Sequence, residues 1–196
     1  MQRDDRQMQR TVRAAQAGDE QAFEALLGAI EQQVYRLVYS MLRSREDAED
    51  ATQETLIKLW RTLPSYRFEC PILPYTLHIA RNVALDIVRR RASRVQTVSL
   101  TTEGEDGESL ELDVADLDEY AHPARAYERQ ERIKGVRAAI EELPPDHKEI
   151  LTLKDIEGYS YELIGQILQL EEGTVKSRLS RARKKLAEIL KERNIF

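Results

Sequence analysis

A single cysteine, Cys70, occurs in 196 residues, so no internal disulfide can form. The three histidines, His78, His122 and His147, stand far apart and give no metal-ligand spacing with it. Eight glycines and six prolines leave few turn positions, and the Val/Ile alternation of strands is almost absent. An all-helical chain is the expectation. No apolar run approaches the ~18 residues of a membrane span. The opening residues MQRDDRQMQR lack the apolar stretch of a signal peptide, which makes the cytoplasm the expected location. Enzymatic machinery is missing as well: there are no paired carboxylates in a pocket-like context, no Ser/His/Asp or Cys/His constellation and no phosphate loop. Cys70 has no histidine near it in sequence to activate it as a nucleophile. Neither an enzyme nor a cofactor is expected.

What is present is charge, unevenly spread. With 41 % hydrophobic and 33 % charged residues the chain reads as folded. Its formal net charge is −5. Residues 1–94 nevertheless carry net +2 and residues 125–196 net +2, while residues 95–124 carry nine acids and no Lys or Arg. Two mildly basic modules flank an acidic connector, VQTVSLTTEGEDGESLELDVADLDEYAHPA, whose composition predicts an extended or disordered segment.

Apolar spacing by threes and fours predicts four helices in the first module. One covers about Asp5 to Ala17. A long one is capped by Asp19 and runs through Phe23, Leu26, Leu27, Ile30, Val34, Leu37, Val38 and Met41. A third starts near Glu46 and ends before Pro64; a fourth follows Pro74 and runs to about Ala92. PSYRFECPIL lies between the last two, held open by prolines. In the second module one helix runs from Arg125 to about Leu143, a second from His147 to Ile156, a third is capped by Ser160, and a last helix contains GTVKSRLSRARKKL, residues 173–186. The order of the last two, with Gln169–Glu172 between them, is helix-turn-helix spacing.

That last stretch has six cations and no acid. On a helical wheel Val175, Leu179, Ala182, Leu186 and Ile189 share one arc. Ser177, Ser180, Arg181 and Lys184 lie opposite, with Lys176, Arg178, Arg183 and Lys185 on the flanks. Solvated surface helices usually mix signs to form i,i+4 pairs, and this run contains none. An anionic partner explains it better. Small Ser and Thr side chains such as Thr174 allow close approach, while Arg and Lys reach phosphates or guanine edges. In the third helix Ala48, Ala51, Thr55, Leu59 and Leu63 point inward, and Asp47, Asp50, Gln53, Glu54, Ile57 and Arg61 outward. An apolar centre with a charged surround is how a protein interface is built. In the fourth, Leu77, Ala80, Val83, Ala84 and Ile87 form the buried set. His78, Asn82, Asp86 and Arg89 form the outer face, with Arg81, Arg90, Arg91 and Arg94 around it.

SREDAEDATQETLIKLWRTLPSYR (44–67), LPYTLHIARNVALDIVRRR (73–91) and LPPDHKEILTLKDIEGYSYELIGQILQLEEGTVKSRLSRARKKL (143–186), with AQAGDEQAFEAL (15–26) ahead of them, together resemble the extracytoplasmic-function sigma factors. The resemblance implies an all-α chain of two small helical domains. Residues 1–94 would be a sigma-2-like domain, 95–124 an acidic flexible linker, and 125–196 a sigma-4-like domain with the helix-turn-helix. It implies that Asp47, Asp50, Gln53, Glu54, Ile57 and Arg61 dock on the clamp helices of the RNA polymerase β′ subunit. Tyr75, His78, Arg81, Asn82, Asp86, Arg89 and Arg90, with the PSYRFECPIL loop, would open the promoter −10 element, a non-template base leaving the stack for a protein pocket. Thr174, Lys176, Ser177, Arg178, Ser180, Arg181, Arg183, Lys184 and Lys185 would read the −35 duplex. The linker would thread the polymerase channel, and an anti-sigma factor would hold a monomeric chain in check. The chain departs from the family's pattern at Tyr75, where tryptophan is frequent, at Gln169 and Glu171 in the turn, where Gly and a Ser or Pro cap are usual, and in the loop with Cys70 and its prolines.

A helix-turn-helix regulator that binds an operator as a dimer, without polymerase, is the alternative. It accounts for residues 143–193 but leaves the acidic third-helix face and the arginine cluster after Asp86 without roles.

Overall fold

Asp19 and Ser44 each start a helix in the same way. The Asp19 carboxylate accepts from the Ala22 amide at 3.0 Å, and the Ser44 hydroxyl accepts from the Asp47 amide at 3.3 Å. Each satisfies an amide that has no partner inside its helix. In the computed structural model, which describes residues 2–97, 123–193 and 195, these caps open α2 (Glu20–Leu42) and α3 (Arg45–Thr62). They follow α1 (Gln2–Gln16) and precede α4 (Ile72–Thr97), with a 3₁₀ turn at Leu63–Ser65. The C-terminal elements are α5 (Pro123–Glu141), α6 (Pro145–Leu151), a π-helical turn at Thr152–Ile156, α7 (Tyr161–Leu168) and α8 (Glu172–Glu192). Among the described residues there is no strand, as an all-helical reading requires. The expectation of an extended acidic connector falls mainly on residues 98–122, outside the described ones.

The chain groups into two compact units, residues 1–107 with 162–170, and residues 108–161 with 171–196. In the first, α2 is the central helix and packs on α1, α3 and α4. Leu26, Ile30, Val34, Leu37 and Val38 of α2 are fully buried, as are Ala48, Ala51 and Leu59 of α3 and Leu77, Ala80 and Ala84 of α4. The alanines let the helices approach closely, and the leucines fill the space to interior density. Polar groups caught inside are satisfied locally: the buried Thr52, Thr55 and Thr76 hydroxyls donate to carbonyls one turn back, at 2.7 to 2.8 Å. α1 ends at Gly18, whose φ of +94° closes the helix with the Asp19 amide bonded to the Ala14 carbonyl.

α4 begins at Ile72, two residues before Pro74, rather than after that proline. Proline in a first turn gives up no hydrogen bond, because its amide would have no helical partner there. Ile87, expected in the core, is only half-buried.

In the second unit α8 packs on α5 and α6. Val175, Leu179, Ala182 and Ile189 are buried, Leu186 half-buried, which is the arc the wheel assigns. The helix expected over His147–Ile156 is instead α6 followed by the π turn, where the Glu157 amide reaches the Thr152 carbonyl at 2.9 Å. Ile150, Leu151, Thr152 and Leu153 are buried in succession where α6 passes into this turn. Gly158, with φ +72°, then ends the segment.

Candidate nucleic-acid interfaces and docking face

The α8 ridge is as expected. Ser177, Ser180, Arg181 and Lys184 are exposed, on the side away from Val175, Leu179 and Ala182. Arg181 Nε donates to the Ser177 carbonyl at 3.3 Å, so its side chain lies back along the helix. The flanks differ from the reading that this helix makes no ion pairs. Lys176 lies 2.5 Å from Glu172, Lys185 lies 3.3 Å from Glu188, and Arg178, half-buried like Thr174, lies 3.5 Å from Asp146. Arg183 pairs with Asp155. The 173–186 run holds no acid, but its neighbours supply them from just outside it and from the π turn. Of the six cations in 173–186, Arg181 and Lys184 have no ion pair among the described residues.

The turn before α8 has unusual residues and ordinary geometry. Gln169 takes the left-handed conformation, φ +56°, that glycine would normally occupy, and the Leu170 amide bonds the Gly165 carbonyl at 2.8 Å. Glu171 occupies the N-cap with extended backbone but no side-chain hydrogen bond. Its carbonyl accepts from Thr174 and Val175.

On α3, Asp50, Gln53, Ile57 and Arg61 are exposed, with 51 % of Ile57 accessible. Glu54 is half-buried and paired with Lys58 at 2.8 Å. Asp47 departs from the expected free outer position. Its carboxylate is half-buried and bonded to Arg91 of α4, and the Ser44 hydrogen bond, then Arg91, hold its pKa below the ordinary value. Trp60, one turn after Ile57, is 47 % exposed and meets Phe23 edge to face at 4.5 Å between centroids. Sequence reasoning passed over it, although the i,i+3 spacing from Ile57 was legible. An open groove of about 420 Å³ between α2 and α3, lined by Glu31, Tyr35, Glu49 and Gln53 among others, borders this face.

On α4, Asn82, Asp86, Arg89 and Arg90 are exposed. His78 is half-buried, its Nε2 3.1 Å from the Asn82 amide nitrogen, and the half-buried Arg81 lies 3.5 Å from Asn82 Oδ1. Arg89 pairs with Asp86 at 3.4 Å. The loop ahead of α4 is an aromatic cluster. Tyr66 stacks at a tilt on Phe68 and on Tyr75, with centroids 4.8 and 5.0 Å apart, and its hydroxyl donates to the Cys70 carbonyl. Burial first, then the nearby Cys70 and Tyr75, push the Tyr66 pKa up to about 12. Burial and Glu69 likewise raise the half-buried Cys70 thiol. Tyr75 thus keeps the aromatic surface that tryptophan would supply. Among the described residues no His, Cys, Asp or Glu cluster could hold a metal ion, and no helix is long and apolar enough to cross a membrane.

Residues 26–94 match the family model of Sigma-70 region 2, and residues 133–186 that of Sigma-70, region 4. The chain is 34 % identical over 184 residues to the RNA polymerase sigma-H factor of Pseudomonas aeruginosa, with 94 % of each chain covered. It is 33 % identical over 175 residues to the ECF RNA polymerase sigma-E factor of Haemophilus influenzae, covering 89 % of this chain and 90 % of that one. Its fold matches the sigma factor RpoE, solved in complex with the anti-sigma factor NepR from Bartonella quintana, at a TM-score of 0.61 and 26 % identity, over 86 % of this chain and 96 % of that one. Outer faces rich in charge, an aromatic loop and two sigma-70 regions in order have one common account: the chain belongs to the extracytoplasmic-function sigma factors, which direct RNA polymerase to promoters and initiate transcription.

Proposed function

We propose that the three exposed faces divide the work of a sigma factor among them. The α3 face, through Asp50, Gln53, Glu54, Ile57 and Arg61, docks on the β′ clamp helices of core polymerase. Asp47 supports that face from within through Arg91. The α4 face and the loop at residues 63–71 take up the −10 non-template strand. Aromatic stacking and nearby guanidinium groups suit unpaired bases, since every base offers a π-face. α8 enters the −35 major groove with Arg181 and Ser177 toward base edges. Residues 1–94, 95–124 and 125–196 act as core-binding domain, channel linker and −35 domain. The chain works as a cytoplasmic monomer under an anti-sigma factor, a partner type present in the RpoE–NepR complex of its relative.

The observation that carries this reading is α8, with exposed Ser177, Ser180, Arg181 and Lys184 backed by buried Val175, Leu179 and Ala182. Reconstituted transcription tests it. Core polymerase with this chain should initiate from promoters selected by its −35 sequence. A chain that binds duplex as a homodimer and ignores core would refute the proposal.

A further inference from the structure

We infer that Gln16 of α1 is a positioning residue for the loop at residues 63–71, so that α1 sets the shape of the pocket that receives the −10 base. The inference rests on the reading above that this loop takes up that base. Gln16 is half-buried at the last position of α1. Its side-chain amide donates to the Leu63 carbonyl at 2.9 Å and to the Tyr66 carbonyl at 2.8 Å, two groups 47 and 50 residues away in sequence. Leu63 and Tyr66 bracket the 3₁₀ turn, the point where α3 stops and the loop begins. The Leu63 carbonyl also accepts from the Tyr66 amide at 3.1 Å, so Gln16 adds a second donor there and ties both ends of the turn to α1 through one side-chain amide.

One turn earlier on α1, the Arg13 guanidinium sits 4.8 Å from the centre of the Phe68 ring, a cation–π distance. Phe68 has φ +59°, a left-handed backbone uncommon for a bulky residue, which the surroundings must hold in place. Its ring lies on Tyr66, and Tyr66 lies on Tyr75. Arg13 and Gln16 therefore hold one stack at two points: Arg13 an outer ring, Phe68, and Gln16 the backbone of the central one, Tyr66. Beneath them Val12, Ala15, Leu63, Tyr66 and Ile72 share one buried cluster. A helix that touches no DNA in the proposed scheme thus fixes the aromatic surfaces that do.

The test uses full-length protein in complex with core polymerase. Gln16→Leu keeps the volume and removes the donor; Gln16→Lys restores a donor; Phe68→Ala alters the loop itself. Two readouts are compared: affinity for single-stranded −10 oligonucleotides carrying each base at each position, and the rate at which iodoacetamide alkylates Cys70 inside the loop. Gln16→Leu should flatten the base preference at one position and leave overall affinity within about twofold. It should also raise Cys70 alkylation by about fivefold or more, since two hydrogen bonds are lost and one alone is worth about that factor. Gln16→Lys should recover both. A merely structural role would weaken all sequences alike and leave the preference intact, which would overturn the inference. Altered preference in Phe68→Ala but not in Gln16→Leu would overturn it too, and leave the base-capture reading standing. Silence from both variants would sink the base-capture reading, and this inference with it. Unchanged Cys70 alkylation in Gln16→Leu would show that α1 does not hold the loop.

Discussion

Arg183 grips Asp155 with two nitrogens, Nε at 3.1 Å and Nη2 at 2.5 Å, so a cation on α8, the helix proposed to enter the −35 groove, is held by the π turn of its own unit. Forked pairing of this kind is the stronger geometry for a surface ion pair. It leaves Arg183 partly neutralised before any DNA arrives. Asp155→Asn should release it and remove an acid from the approach path. The substituted holoenzyme should bind −35 duplexes a few-fold more tightly, with a salt dependence steeper by up to roughly one unit of slope. Titrations across salt check this; an unchanged slope would mean that Arg183 does not meet phosphate.

Arg181 and Lys184 should separate base reading from phosphate contact. Arg181→Ala should cost about 1–3 kcal/mol and relax preference at particular base pairs. Lys184→Ala should weaken every sequence alike and lower the salt slope by about one. Binding across a set of base substitutions distinguishes them, and identical profiles would leave only a nonspecific basic helix.

On the proposed docking face, Asp50→Arg reverses an exposed charge and should cost about 2–5 kcal/mol of core binding without unfolding the chain. Asp47→Ala should act differently, since its carboxylate bonds Arg91. Thermal stability should fall and core affinity change less. Circular dichroism melts alongside core-binding titrations would show this split, and the reverse pattern would exchange the two roles.

The same carboxylate gives a pH dependence. Its pKa lies below the ordinary 3.8 because Ser44 and Arg91 stabilise the ionised form. A carboxyl lowered on folding adds stability that is present above the unfolded value and lost as pH falls through the folded one. The stability gap between the native chain and Asp47→Asn should therefore be full above about pH 5 and shrink below about pH 4. A constant gap across acid titration would rule out this contribution.

Asn82→Ala or Arg89→Ala should slow promoter opening more than they weaken the closed complex, because both side chains are exposed on the helix assigned to the melted strand. Pre-melted templates should restore the rate. A defect that persists on them would move these residues to initial binding.

Much of this was legible because the sequence signals were local. Asp19 as a cap, Gly18 and Gly158 as stops, and the inward arcs of α2, α3 and α8 all follow from spacing within a turn or two. The misses come from relations that periodicity does not contain. The π turn breaks the 100° step, and Pro74 is admitted to a first turn because nothing there needs its amide. Lys176 and Lys185 pair with acids just outside residues 173–186, and Arg183 with Asp155, 28 residues away. The Gln16 contacts span 47 and 50 residues, and a glutamine at a helix end carries no pattern that announces them. Asp47 looked free because a wheel shows where a side chain points, not what a neighbouring helix brings to it.

Between α2 and α3 lie only Arg43, left-handed at φ +55°, and Ser44, extended. Such a joint has no slack: one residue turns the chain and the next opens the new helix. The α3 face is therefore mounted like a bracket on α2, its bearing set by the central helix rather than by a flexible tether. A partner that engages Asp50 and Ile57 meets a surface already aimed, and gives up little entropy in orienting it.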